Sequence, residues 1–221
     1  MGTPRLPPLR VVSHRFSAAD LCAGHLALDF LNTAASLNRG PRDWLDGYTR
    51  LVEWAGLAGI CDPDRQQQLF AASAQHPRAG DEALTRVRVF RAALYELVSA
   101  WAAGVRPSTY AVAELQRWSR RGGRALSLRW LDCGALGTSI ASCGLDVIGV
   151  EVALAATELL SQPAVGRVGV CAGYNCGWMF LDTSKSRRRR WCDMRTCGNA
   201  AKAHRHYRKR SLATRIDAER E

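Results

Sequence analysis

Apolar residues recur at helical spacing through the first three quarters of the chain. The clearest stripe is Leu84, Val87, Phe90, Leu94, Leu97 and Trp101, which predicts a core-facing helix from about Asp81 to Ala103. Asp81 and Glu82 suit its first turn and Gly104 its end. Upstream, Leu26 to Asn32 reads as a short buried element. Trp44, Tyr48, Leu51, Val52 and Ala55 recur at helical spacing and mark the next helix, which Gly56 and Gly59 weaken. Pro63 opens another helix through Gln66, Leu69 and Phe70, and a weaker one spans Ser108 to Arg120 before Gly122 and Gly123 break it. Leu126, Leu128 and Trp130 then alternate with Ser127 and Arg129, the pattern of a half-buried strand in a hairpin. Asp146 to Ser161 returns to helix, Pro163 stops it, and a short extended segment leads to Cys171.

These elements predict an α+β fold: a mainly helical N-terminal domain with a few short strands, followed by a small four-cysteine module. The expected organisation is a flexible N-terminal arm over 1–20, a helical domain over 21–166, the module over 167–212 and a tail over 213–221. A hydrophobic fraction of 47% in 221 residues is enough for a real core. No apolar run approaches the ~20 residues that span a bilayer, and the N-terminus lacks the apolar stretch of a signal peptide. A cytoplasmic protein with no membrane partner is expected.

Charge changes the picture. Residues 167–221 carry 14 Lys/Arg against 5 Asp/Glu, so +9 of the net +11 sits in the last quarter of the chain. Such a field concentrates polyanions, of which nucleic acid is the commonest. Within that quarter, Cys171, Cys176, Cys192 and Cys197 form two C-x4-C pairs. Two short thiolate loops that fold back on each other suit one structural Zn²⁺ with no open coordination position. Cys22, Cys61, Cys133 and Cys143 are irregularly spaced in apolar surroundings and read as buried, inert residues. Gly173 and Asn175 are expected to supply a positive φ in the first knuckle, and Trp178, Phe180 and Trp191 a miniature core.

The run Phe180-Leu-Asp182-Thr183-Ser184, then Arg190-Trp191-Cys192, then Cys197-Gly198-Asn199, resembles the CGNR zinc-finger family. Gly24 to Thr33 is similar to the opening of the ABATE domain that usually precedes that finger. The resemblance implies a bacterial stress-induced transcription regulator with a DNA-binding finger. The family's motif ends in Arg, and this chain has Ala200 there.

The expected function is a DNA-binding regulator, with RNA binding and a zinc-stapled protein-interaction module as alternatives. Lys185, Arg187, Arg188, Arg189, Arg190 and Arg195 are the candidate DNA contacts before the last helix; Lys202, Arg205, Arg208, Lys209 and Arg210 are those on or beside it. The arginine run suits phosphate neutralisation better than base reading, because a loop fixes no register. Asp29, Asn32 and Thr33 are candidates either for lining the pocket of a small-molecule effector or for capping a helix. The N-terminal domain is expected to sense a ligand or to assemble, a homodimer being one form of assembly. No nucleophile–base motif or phosphate-binding glycine loop points to an enzyme.

Overall fold

The computed structural model describes residues 9–35, 42–130, 132–140, 143–162, 168–174 and 176–205. Six helices build the body: α1 (Leu26–Leu31), α2 (Tyr48–Leu57), α3 (Pro63–Gln75), α4 (Pro77–Ala103), α5 (Thr109–Ala125) and α6 (Val147–Ser161). A small sheet of β1 (Arg10–Val11), β2 (Ala34–Ala35) and β3 (Arg42–Asp43) lies beside them in the order β1-β3-β2. A hairpin of β4 (Leu126–Trp130) and β5 (Leu136–Ile140) joins α5 to α6, and a second hairpin, β6 (Val168–Val170) with β7 (Met179–Leu181), opens the cysteine module.

Helix α4 is the axis of the core. Its stripe of Leu84, Val87, Phe90, Leu94 and Leu97 is buried as the periodicity predicts. The helix starts four residues earlier than expected because Pro77 occupies its first turn, where a missing N–H costs nothing. Gly104 closes it at φ 65°, the left-handed cap that glycine adopts without strain. Helix α5 does not break at Gly122 and Gly123 as their composition predicts but continues through both to Ala125. The reason is packing: a Cβ on Gly122 would sit 3.0 Å from Leu154 and Val150 of α6. On the same interface Trp118 lies over Gly149, where a Cβ would come within 2.4 Å of its ring. Two glycines therefore set the closeness of α5 and α6.

Three expectations need correction. Residues 9–20, assigned to a flexible arm, are held: β1 pairs with β3, Val12 N donates to Asp43 O at 2.9 Å, and Phe16 is buried. Residues 1–8 and the tail 213–221 lie outside the described residues. Trp44 precedes α2 rather than belonging to it, and stacks on His14 at 4.0 Å. Strand β4 is not half-buried through its apolar residues, since Leu128 and Trp130 are 64% and 71% exposed. The hairpin pairs only with itself among the described residues, and Leu126, Leu128 and Trp130 stay exposed on it.

A buried ion pair fixes the small sheet to α4. Asp43 is 3% exposed and accepts from Arg91 Nη2 at 2.6 Å, with Arg88 Nε at 2.9 Å from the same oxygen. Its other oxygen accepts from Leu45 N at 3.0 Å. Arg91, equally buried, also donates to Thr33 Oγ1 at 2.7 Å. Removing one member of such a pair strands the other charge in the interior. Asp43→Ala is expected to lower unfolding stability by about 3–5 kcal/mol in urea titration, whereas the exposed Arg78→Ala changes it little.

Candidate zinc centre and nucleic-acid interface

The module is built on the β6–β7 hairpin, where Gly169 stands opposite Phe180. A Cβ on Gly169 would meet the Phe180 ring at 2.6 Å, so the absent side chain is what lets that ring lie fully buried across the hairpin. Trp178, Trp191 and the cysteines pack around it as the expected miniature core. The first knuckle is tied by Cys171 N to Trp178 O at 2.8 Å and by Ala172 N to Arg190 O at 2.9 Å. Its positive φ falls on Gly177 at 74°, not on Gly173, and Asn175 lies outside the described residues. Gly173 is needed for a different reason: a Cβ there would lie 3.0 Å from Cys197 Sγ. The second knuckle turns through a π-helical segment, Met194–Gly198, which Asp193 caps by accepting from Thr196 N at 2.9 Å. It runs directly into a last helix, α7, described over 199–205.

The ligand atoms of Cys171, Cys176, Cys192 and Cys197 all lie within 4.8 Å of one another. Cys176 and Cys192 sulfurs are 3.5 Å apart, and Cys192 and Cys197 sulfurs 3.6 Å. Tetrahedral Zn–S bonds of about 2.3 Å require sulfurs roughly 3.8 Å apart, so the four residues fit and are positioned to bind one zinc ion. Without a cation, four thiolates this close repel. Donation from Cys176 and Cys192 draws Cys171 down, while Cys192 is pushed up by its interactions with Cys171 first, then Cys176 and Cys22, and Cys197 chiefly by burial. Metal binding must therefore displace protons.

The candidate cations divide into two groups. Arg189, expected on the DNA-facing loop, is turned inward. Its Nε donates to Trp191 O at 2.9 Å, Nη1 to Leu181 O at 3.3 Å, and Nη2 to Cys22 O at 3.0 Å and to Cys192 O. The guanidinium also lies 4.5 Å over the Phe180 ring. Asp182, 5% exposed, shapes the loop that delivers it: one oxygen accepts from Ser184 N and Oγ, the other from Arg189 N at 2.9 Å. These bonds, Ser184's hydroxyl foremost, hold the Asp182 carboxyl below its usual range. Lys185, Arg187, Arg188, Arg190, Arg195, Lys202 and Arg205 are all exposed, as is Ala200. Arg190 lies 5.4 Å over the Trp191 ring. Arg188, Arg190, Trp191 and Met194 line a shallow concavity of about 440 Å³. Arg208, Lys209 and Arg210 lie outside the described residues.

Asp29, Asn32 and Thr33 sit where the body meets the module. Asn32 Nδ2 donates to Met179 O and Met179 N donates back to Asn32 Oδ1, both at 2.9 Å. Leu181 N donates to Ala23 O at 2.7 Å. Thr33 Oγ1 donates to Phe30 O at 2.7 Å, closing the end of α1. Asp29 accepts from Ala23 N at 2.9 Å, and burial raises its carboxyl to about 6. Sequence reasoning missed two residues of this junction. Cys22 packs against the cysteine cluster, although nothing local in the sequence joins it to a module so distant in the chain. Arg189 had a signal in Asp182 and Ser184 upstream, but a run of four arginines conceals which one turns in.

Fold and site together define a zinc-finger protein in which the finger is docked on a helical body. The chain belongs to the ABATE family, described as "Putative stress-induced transcription regulator", which it matches over residues 24–163. The CGNR zinc finger matches residues 167–210. No curated protein matches the chain significantly. No helix among the described residues is long and apolar enough to cross a membrane.

Zinc affinity is expected to rise with pH as fewer protons need displacing, which competition with a chromogenic chelator measures. Chelation should abolish the ordered module while the far-UV signal of the body persists. Asp29 supplies an independent pH dependence. Its folded value lies above the unfolded one, so stability falls as pH rises from about 4 through about 6 and is level beyond. Asp29→Asn keeps an acceptor for Ala23 N without the charge. It should raise the thermal midpoint at about pH 8 relative to the parent and lose that advantage at about pH 4.

Proposed function

We propose that the chain is a DNA-binding transcription regulator whose zinc finger engages the phosphate backbone and whose helical body receives the regulatory input. The observation that carries this reading is the solvent-facing distribution of Lys185, Arg187, Arg188, Arg190, Arg195, Lys202 and Arg205 around a cluster fit for zinc. Membership in a family of transcription regulators supports it. Bound zinc supplies structural rigidity, since four protein thiolates leave no position for a reacting group. The chain's own residues then do the positioning. The π-helical turn carries Cys197 straight into α7, so the start of the helix bearing Lys202 and Arg205 is fixed relative to the Arg187–Arg190 loop. Phosphates meeting both segments gain a defined register; base edges would be read from the helix.

Input to the body has a route to the finger in this reading. The Asp43–Arg91–Thr33 chain of bonds ends beside Asn32, which grips β7. A groove of about 580 Å³ between α3 and the segment after β5, with Arg65, Gln68 and Ser139 on its walls, is the candidate place for a small-molecule effector.

Titration of short duplexes at several salt concentrations tests the DNA reading. Affinity should fall steeply with salt, by about 0.9 log unit per log unit for each phosphate neutralised. Arg188→Ala should lower that slope by about one and leave thermal stability unchanged. Arg189→Lys should instead lower stability and zinc retention, because one ammonium cannot span four carbonyls. A salt-independent response, no binding at low salt, or stronger binding to stem-loop RNA than to duplex would overturn the proposal.

A further inference from the structure

The fifth thiol at the zinc cluster is Cys22. It belongs to the body, is not one of the four clustered ligands, and packs half-buried against the same apolar cluster as Cys171, Cys192 and Phe180. One nitrogen of Arg189 places it: Nη2 donates to the carbonyls of both Cys22 and Cys192, so the two backbones are pinned to one donor atom. The Cys22 side chain packs against the small buried cluster to which Cys192 belongs. Disulfides need backbones drawn to a Cα separation of about 4.4–6.8 Å, and the shared donor keeps the Cys22 and Cys192 carbonyls side by side. The other three cysteines outside the ligand set are elsewhere: Cys61 is buried in the body, Cys143 lines the groove by α3, and Cys133 is exposed at the hairpin tip.

We propose that Cys22 and Cys192 form a peroxide-oxidisable thiol pair that ejects zinc by taking one of its four ligands. The oxidant is a hydroperoxide such as H₂O₂. The Cys22 sulfur, after loss of its proton to water, attacks one peroxide oxygen. The O–O bond breaks, hydroxide leaves, and Cys22 becomes a sulfenic acid. The Cys192 thiolate leaves the metal site and attacks the Cys22 sulfur; the S–O bond breaks and the oxygen departs as water after taking a proton. The two sulfurs give up two electrons and peroxide accepts them. Three cysteines remain for the metal, and the second knuckle, which begins at Cys192 and leads into α7, loses its anchor while becoming covalently tied to the body.

This inference rests on the zinc site and not on DNA binding, so its test uses no nucleic acid. Zinc-loaded full-length protein is treated with H₂O₂, zinc release is followed with a chromogenic chelator, and unreduced peptides are mapped by mass spectrometry. The expected result is a Cys22–Cys192 crosslink appearing with zinc release, reversal by a thiol reductant plus zinc, and at least several-fold slower release from Cys22→Ser. A Cys61→Ser control should release zinc at the parent rate. Release from Cys22→Ser at the parent rate, or disulfides confined to Cys171, Cys176, Cys192 and Cys197, would overturn it. Cys22→Ser should bind zinc normally before oxidation, which separates loss of reactivity from loss of the site.

Discussion

The guanidinium of Arg189 has five donors in a rigid fork, and the finger surrounds it with backbone carbonyls from Leu181, Trp191, Cys192 and Cys22. Few other side chains could serve there. A lysine offers a single point charge, and an apolar residue would leave those carbonyls without a donor in a partly buried setting. Three of the carbonyls belong to the finger and one to the body, so the same group completes the finger's interior and docks it. Asp182 determines which arginine turns in, by binding the backbone N–H of Arg189 and the Ser184 turn before it. The remaining cations of the run are thereby directed outward.

Zinc and Arg189 divide the work of ordering a segment too small to bury much apolar surface unaided. The metal site ties the two knuckles, while Arg189 and Phe180 tie the hairpin to the loop between them. Asn32 adds a two-way bond to Met179, and Leu181 adds one to Ala23. A finger on a free tether would present its charges in any orientation. A docked one presents them in a fixed relation to α1 and, through Thr33 and Arg91, to the α4 core.

Much of this was legible beforehand. The stripe on α4 and the Pro63 start of α3 announce themselves through period and proline chemistry, and the paired C-x4-C spacing identifies the ligands without structural help. What stayed hidden depended on contacts between distant segments. Gly122 reads as a break until α6 is seen packed against it. Leu126, Leu128 and Trp130 read as half-buried because alternation shows a face but not whether anything covers it. Asn32 could have capped α1 or lined a pocket; its bond to a strand 147 residues away decides where its amide goes. Four consecutive arginines carry no mark of which is structural.

The central claim is that the zinc-loaded finger is docked on the body through Asn32, Arg189 and β7. Hydrogen–deuterium exchange at the Met179 and Leu181 amides of the zinc-loaded protein tests it most directly, because those N–H groups donate across the junction. The account predicts protection comparable to the buried turns of α4. Fast exchange at both amides while α4 stays protected would show the finger to be independently tethered and would contradict it.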